Sequence, residues 1–525
     1  MANVFKPPCD EALIAARPAV APCAESAAPW ILAATILGSS MAFIDGTVVN
    51  VALPALQQNL HATAFDVQWV VESYALFLAA LLLVGGSMGD RFGRRRIFCA
   101  GVTLFTLASI GCGAARTIGE LIIARALQGS GGALLVPGSL AIISASFSEE
   151  KRGQAIGTWS AFTAITAGIG PVVGGWLIEH ISWRAVFFIN VPLAIVVLLI
   201  SYRHIPESRD QERTNLDWWG AVFATAALGT LVYGLIECSR IGWKHPLVVA
   251  ALAASAFSLL VFLAIEMRSD NPMLPIGLFR SRNFAGANLL TLFLYTSLSG
   301  GMFFMPLNLI QVQHYSATQA GATWLPFILI MFSLSRWSGG LVKRCGAKLP
   351  LVAGPLIAAF GYALFALPGI GGSYWATFFP AVVVLGLGMA VSVAPLTTTV
   401  MSEVGENNAG IASGVNNTVS RVGGLLGIAL LGIVIQHAFN SRLDDRLAQL
   451  HLSPQLSRAV DEQRVRLAGA ELPSDVGDQT RRIVREAINE SFVFGFRVVM
   501  TAACGLVLAG ALSAFTMIDG KQVKK

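Results

Sequence analysis

Apolar positions in this chain come in blocks, not in alternation. From Trp30 onward, runs of mostly apolar residues follow one another almost to the C-terminus. A helix of about 20 apolar residues crosses the hydrocarbon layer of a bilayer. Blocks of that size fall near residues 30–53, 67–88, 96–115, 119–141, 155–178, 185–202, 217–238, 247–266, 285–307, 320–341, 350–368, 376–399, 409–436 and 492–517. Lipid offers no partner to an open backbone N–H or C=O, so helices are the economical reading. A β-barrel would show short alternating segments, and these blocks do not alternate. The pattern predicts an all-α membrane protein with 14 transmembrane helices.

Composition agrees. The chain of 525 residues is 55% hydrophobic and only 13% charged, against about 25% charged in a soluble domain. The first 29 residues carry Lys6, Asp10, Glu11, Arg17 and Glu25 and no apolar run. They read as a cytoplasmic tail, not a signal peptide. The seven cysteines are scattered without metal spacing. Those in the spans read as small buried hydrophobes, and neither metal nor cofactor is expected.

The net charge of +6 could suggest nucleic acid, but its placement points to a bilayer. Connections after even-numbered spans carry Arg91, Arg94, Arg95 and Arg96; Lys151 and Arg152; Arg203, Arg209 and Arg213; Arg268, Arg280 and Arg282; Lys343, Arg344 and Lys348. The short connections after odd-numbered spans hold only Arg116, Arg184, Arg240 and Lys244. Lys and Arg favour the cytoplasmic side, so both termini are expected in the cytoplasm. Residues 437–491 form a long polar connection that parity places outside. Its stretches LSRAVDEQRVRLAG and TRRIVREAINESF have a helical pattern. A solvated cap is one reading, and a docking surface for a periplasmic adaptor protein is the other.

A weak internal repeat divides the chain. Pro54, Trp69 and the basic turn near Gly86 have counterparts in Pro306, Trp324 and GGLVKRCGAK, with Lys343 where Asp90 would stand. Repeats mark many transporter folds, whose sites lie near the midplane. The expected organisation is a six-helix bundle over 30–205, two inserted helices within 206–270, and a second six-helix bundle over 271–518, followed by a tail at 519–525.

Four constellations carry candidate chemistry. In FIDGTVVNVALP, Asp45 lies well inside the first span, where an ionised side chain costs about 2.5–3.5 kcal/mol on insertion scales. Such a carboxyl can take a proton from one side and release it to the other, or attract a cation. Alternatively it is a structural group satisfied by Thr47 and Asn50. In LIIARALQGSGGALLVPG, Arg125 sits one turn into the fourth span with Gln128 on the same face. A guanidinium does not neutralise itself, so it either helps an acid eject its proton or snorkels to the interface. In AGIGPVVGGWL, Gly170 and Gly174 form a close-packing pair, Pro171 bends the helix, and Gly168 and Gly175 add close approach. In GSMGDRFGRRR, Gly86 and Gly93 permit a tight crossing. Asp90 there can accept from a helix N-terminus or pair with arginine, which makes either a cytoplasmic latch or a topological anchor. Glu72, about a turn and a half into the second span, is a further cavity-facing candidate. Glu237 has Arg240 three residues on and reads as a local pair. Arg336, Arg421 and Arg497 have both a functional and a snorkelled reading. There is no GxxxxGK[ST] phosphate loop and no HExxH, so no enzyme signature competes.

Together these residues resemble a known family. GSMGDRFGRRR is similar to the loop-2–3 signature of the major facilitator superfamily, RALQGSGG to its fourth-span motif and GIGPVVGG to its fifth-span antiporter motif. IDGTVVNVALP, WRAVFFINVP, NPMLPIGLFRSRNF and the span count resemble its fourteen-span drug:proton antiporter branch. The resemblance implies a major facilitator fold, with two six-helix bundles rocking around a central cavity, and proton-driven export of small, often amphipathic or cationic compounds. It implies that Asp45 is the protonatable acid and Arg125 the coupling arginine. Asp90, Arg91 and Arg94 would form the cytoplasmic latch, and Gly168, Gly170, Pro171, Gly174 and Gly175 the antiport kink. Export of one endogenous metabolite or natural product, and a non-transporting membrane sensor or scaffold, are the rival readings.

Overall fold

The computed structural model describes residues 27–209, 217–269, 274, 276–403, 409–450, 452–473 and 476–519. The expected tails at 1–29 and 519–525 lie almost wholly outside the described residues, as do the side chains of Arg336 and Lys343. No strand occurs among the described residues. Fourteen helices are long and apolar enough to cross a membrane, one in each expected block. The spans are Ala28–Asn59, Ala64–Leu82, Arg94–Ala114, Ile118–Ser146, Gln154–His180, Ala185–His204, Trp218–Cys238 and Pro246–Arg268, then Arg282–Val312, Ala317–Leu334, Lys348–Phe365, Phe379–Ser402, Gly414–Leu450 and Asp478–Met517. They are called the first to the fourteenth span below. Many of their large apolar side chains are exposed, among them Leu107, Leu199, Leu260 and Phe360. That outward greasiness is what a lipid solvent requires of a helix.

Two boundaries differ instructively from the hydropathy reading. The helix of the second span continues to Phe92, so GSMGDRF is helical and the connection to the third span shrinks to Gly93. That residue has φ 111°, a conformation open to glycine and strained for a side chain. The thirteenth and fourteenth spans likewise run on beyond the apolar blocks. The polar connection 437–491 is therefore mostly helix, made of these extensions, a short helix Pro454–Gln463 and a 3-10 segment Arg464–Gly469.

The chain folds into two compact units. The first comprises Met1–Val49, Ser73–Leu228 and Phe257–Met273. In it the third span packs on the fourth and sixth, around Phe98, Val102, Phe105, Leu135 and Val197. Ser39 on the first span donates to Ser139 (2.8 Å) and accepts from the Trp159 indole (3.1 Å), which ties the first span to the fourth and fifth.

The second unit comprises Asn50–Glu72, Gly229–Ala256 and Leu274–Lys525. Its ninth span packs on the thirteenth and fourteenth, and its eleventh on the twelfth and fourteenth. Arg497 on the fourteenth span donates to the carbonyls of Leu367 (2.8 Å) and Pro368 (3.0 Å), so it serves orphan carbonyls just beyond the end of the eleventh. Glu237 and Arg240 form the expected local pair at 2.8 Å. The 3-10 segment lies against the end of the first span. There Arg466 donates to the His61 carbonyl (3.3 Å), and Gln57 accepts from Gln311 (2.7 Å).

Candidate functional site: a buried ion pair in the first unit

Asp45 and Arg125 are 80 residues apart in sequence and form an ion pair, Arg125 Nη1 to Asp45 Oδ2. Both side chains are at most 1% exposed. A guanidinium stays charged in any environment, so a buried one must be matched. Removing one member of a buried pair leaves the other uncompensated. Gln128, one turn on from Arg125, completes a ring: its Oε1 accepts from Arg125 Nη1 (2.8 Å) and its Nε2 donates to Asp45 Oδ1 (2.8 Å). The residues expected to act together from the first and fourth spans are thus in contact.

Other spans supply partners that the sequence did not single out. Ser109 on the third span accepts from Gln128 Nε2 (3.2 Å) and from Asn190 Nδ2 (3.0 Å), and donates to the Phe187 carbonyl (2.8 Å). Asn190 Nδ2 also stands 3.5 Å from Asp45 Oδ1. The Cys112 thiol lies 3.4 Å from Gln128 Oε1. The Arg125 guanidinium carbon is 4.1 Å from the Tyr74 ring centroid, a cation–π geometry. The Tyr74 phenol is fixed by donating to the Ala42 carbonyl (2.9 Å). Phe187 and Asn190 belong to WRAVFFINVP. Arg184 of the same stretch donates to the carbonyls of Gly113 (2.7 Å) and Ala115 (2.6 Å). It thereby pins the start of the sixth span to the end of the third, and Asn190 is delivered to Ser109.

Thr47, a candidate partner for Asp45 on the alternative structural reading, does something else. Its hydroxyl faces the carbonyls of Phe43 (3.2 Å), Ile44 (3.0 Å) and, on the fifth span, Ala167 (3.0 Å). Ala167 is four residues before Pro171, which lies inside a helix and has no N–H to give. Thr47 therefore supplies the donor that the proline lacks. A Cβ on Gly170 would meet Thr47 and Ile44, and one on Gly174 would meet Val48. Gly168, Gly170, Pro171, Gly174 and Gly175 are all buried. The helix that holds Pro171 lies directly against the stretch that carries Asp45.

Glu72 is not part of this cluster. It belongs to the second unit, is fully buried, and both its carboxyl oxygens are without a hydrogen-bond partner among the described residues. The Asn50 carbonyl oxygen is likewise buried without a partner.

At the basic turn, Arg94 pairs with Asp90 through Nε (2.9 Å) and Nη2 (2.8 Å). The turn has a second acid, Glu207, whose carboxylate accepts from the backbone N–H of Arg95 (3.1 Å) and Arg96 (3.2 Å). An anion at a helix N-terminus meets unpaired donors and the positive end of the dipole. A Cβ on Gly93 would stand 2.6 Å from Glu207 Oε1, so this glycine is needed for space as well as for φ. Arg91 packs over the Phe92 ring at 5.3 Å, and a Cβ on Gly86 would touch Pro137 at 3.6 Å. No group of three or more metal-ligating side chains occurs among the described residues.

Fourteen apolar helices, with a charged pair buried in the first unit, define a multi-pass membrane protein. The family model of the Major Facilitator Superfamily matches residues 35–428, and the chain belongs to that superfamily. It is 32% identical over 500 residues to the tetracenomycin C resistance and export protein of Streptomyces glaucescens, covering 93% of this chain and 91% of that protein. It is 33% identical over 491 residues to the multidrug resistance protein Stp of Mycobacterium tuberculosis (90% and 88%). With the puromycin resistance protein pur8 of Streptomyces alboniger the identity is 36% over 421 residues (79% and 83%). Among solved structures, a bacterial homolog of the human lysosomal transporter Spinster superposes with a TM-score of 0.67 at 18% identity, covering 94% of this chain and 97% of that one. That likeness establishes the fold.

Proposed function

We propose that this chain is a proton-driven efflux antiporter of the inner (plasma) membrane. It exports small amphipathic or cationic compounds by alternating access between a bundle over 30–205 and a bundle over 271–518, with 206–270 inserted. The observation that carries the proposal is the buried pair of Asp45 and Arg125. With Asp45 ionised the pair is neutral as a whole. A proton arriving from outside cancels the carboxylate and leaves the guanidinium uncompensated, so the two protonation states favour different helix arrangements. Substrate and proton then oppose each other's binding by the same factor, which is what exchange requires. Gln128 orients both charges. Glu72 is a second proton or cation site, supported by its burial without a partner.

Drug efflux is supported by the relatives, whose names are those of resistance and export proteins. Both termini lie in the cytoplasm, on the side of the basic turns. Asp90, Arg91 and Arg94, with Gly86 and Gly93, form the cytoplasmic gate. Gly168, Gly170, Pro171, Gly174 and Gly175 form the kink on which the fifth span bends. The connection 437–491 is a solvated cap, with a docking surface for a periplasmic adaptor protein as the alternative reading.

The test is the pH inside proteoliposomes under an imposed proton gradient, with ethidium, puromycin and tetracenomycin C added singly. Substrate-dependent proton movement that Asp45→Asn abolishes is the expected result. Full exchange in Asp45→Asn would sink the assignment. A second reading, export of a single natural product, is favoured by relatives named for one antibiotic each. It predicts that only one compound of a broad panel moves protons.

A further inference from the structure

One acceptor of the Asp45 cluster is left over. Asn190 is 1% exposed, and its Oδ1 is buried without a hydrogen-bond partner among the described residues. The orientation of its amide follows from the network. Ser109 commits its only proton to the Phe187 carbonyl (2.8 Å), so the Asn190 atom 3.0 Å from Ser109 Oγ must be the N–H side. The oxygen is then turned away from every donor. An orphaned buried carbonyl costs about 1–3 kcal/mol, and a polar group left so by evolution calls for an explanation.

Protonation of Asp45 supplies one. When the carboxylate takes a proton it gains an O–H that needs an acceptor. Arg125 presents only N–H groups. Gln128 Oε1 already accepts from Arg125 (2.8 Å) and faces the Cys112 thiol (3.4 Å). Ser109 Oγ already accepts from Gln128 (3.2 Å) and Asn190 (3.0 Å). The acceptor with free capacity is Asn190 Oδ1. We propose that Asn190 is a positioning residue that reads the protonation state of Asp45: its amide donates to the carboxylate and, after turning about its last torsion while the Ser109 hydroxyl turns its proton from the Phe187 carbonyl to the amide oxygen, accepts from the carboxyl O–H. The proposal rests on the antiport reading, in which Asp45 carries the proton. The step moves one proton from water to a carboxylate oxygen and needs no other reactant. The charged and titratable groups that face the site are Arg125 from the fourth span, Cys112 from the third and Tyr74 from the second.

The experiment is labelling by dicyclohexylcarbodiimide, which attacks protonated carboxyls in apolar surroundings. Asp45 and Glu72 are quantified by peptide mass spectrometry across a pH series in purified full-length protein. Wild type is compared with Asn190→Leu, which is close in shape but has neither donor nor acceptor, and with Asn190→Ala should the leucine variant fail to fold. The donor contact with the ionised form is long, at 3.5 Å, so the larger loss falls on the protonated form. The pH of half-labelling at Asp45 should drop by about one unit, a roughly ten-fold loss of proton affinity, as expected for one neutral hydrogen bond. Glu72, in the same sample, should not move. An unchanged Asp45 profile in a variant that melts like wild type overturns the proposal. So does an equal shift at Glu72, or an Asp45 that fails to label at any pH in wild type. Labelling needs no transported compound, so it reads the proposal whether or not proton exchange is seen in proteoliposomes.

Discussion

The bond between Thr47 and Ala167 gives the sharpest test of how the first unit is built. Three carbonyls surround the Thr47 hydroxyl, and it has one proton. Phe43 and Ile44 lie inside a continuous helix and accept from the N–H groups four residues on. Ala167 cannot, because its helical donor would be Pro171. Thr47→Val keeps the branched shape and removes the hydroxyl. In the native background the Ala167 carbonyl then has no donor, and the variant should lose about 1–2 kcal/mol of stability, the cost of an orphaned acceptor in a partly buried place. In a Pro171→Ala background the fifth span supplies its own N–H to Ala167, and the same Thr47→Val change should be nearly neutral. The coupling energy across the four proteins is therefore about 1–2 kcal/mol, measurable as a double-mutant cycle. Unfolding in detergent micelles, followed by tryptophan fluorescence, reads it. Equal losses in both backgrounds would refute the reasoning, because Thr47 would then act without regard to the missing proline N–H.

Other expectations follow from the same contacts. Arg125→Gln leaves Asp45 buried without its cation and should lower stability by about 3–5 kcal/mol. Asp45→Asn combined with Arg125→Gln should melt above the Arg125→Gln single variant, and a lower melting point would show that the stranded carboxylate is not what destabilises the single variant. Gly93→Ala places a methyl beside the Glu207 carboxylate at a φ of 111° and should cost about 1–3 kcal/mol, seen as a drop in melting temperature that Glu207→Ala does not reproduce in full. Glu207→Gln removes the charge that caps the third span and should cost about 1 kcal/mol, a loss that shrinks in high salt. Arg466→Ala removes a donor from the His61 carbonyl, so hydrogen exchange of the amides at 60–63 should quicken while that at 98–105 stays fixed; unchanged exchange at 60–63 would dismiss the contact.

Hydropathy alone located all fourteen spans, because a bilayer imposes one length on every helix that crosses it. Asp45, Arg125 and Gln128 were legible for a related reason: charge and amide are expensive in lipid, so each had to have a partner. Their partners in the other spans were not. Ser109 and Asn190 sit in apolar runs where a lone Ser or Asn is ordinary, and the face that each turns inward depends on helix rotation, which the first unit's packing sets. Glu207 was missed because its target, the start of the third span, is 111 residues away from it. Thr47 was a candidate partner only on the alternative reading of Asp45 as a structural group, and it is not hydrogen-bonded to it. On a helix, residues two apart point to different sides, and the hydroxyl went to the fifth span instead.

That divergence bears on the coupling. Asp45 faces the third, fourth and sixth spans, while Thr47 and Val48, less than a turn later, face the fifth. One short stretch of the first span thus has the ion pair on one side and the Pro171 segment of the fifth span on the other. On the antiport reading, a proton on Asp45 weakens its hold on Arg125, and the first span is then free to roll or shift relative to the fourth. Any such movement also moves the hydroxyl that stands in for the missing Pro171 donor. The Ala167 carbonyl would then lose the Thr47 donor at the moment the ion pair loosens. Substitution at Thr47 should accordingly change the proton-to-substrate coupling ratio as well as stability, whereas a residue of the first span that only fills the core, such as Ile31, should change stability alone. Comparison of Thr47→Val with Ile31→Ala in the proteoliposome assay separates the two. Equal effects on the ratio would mean that the kink and the ion pair work independently.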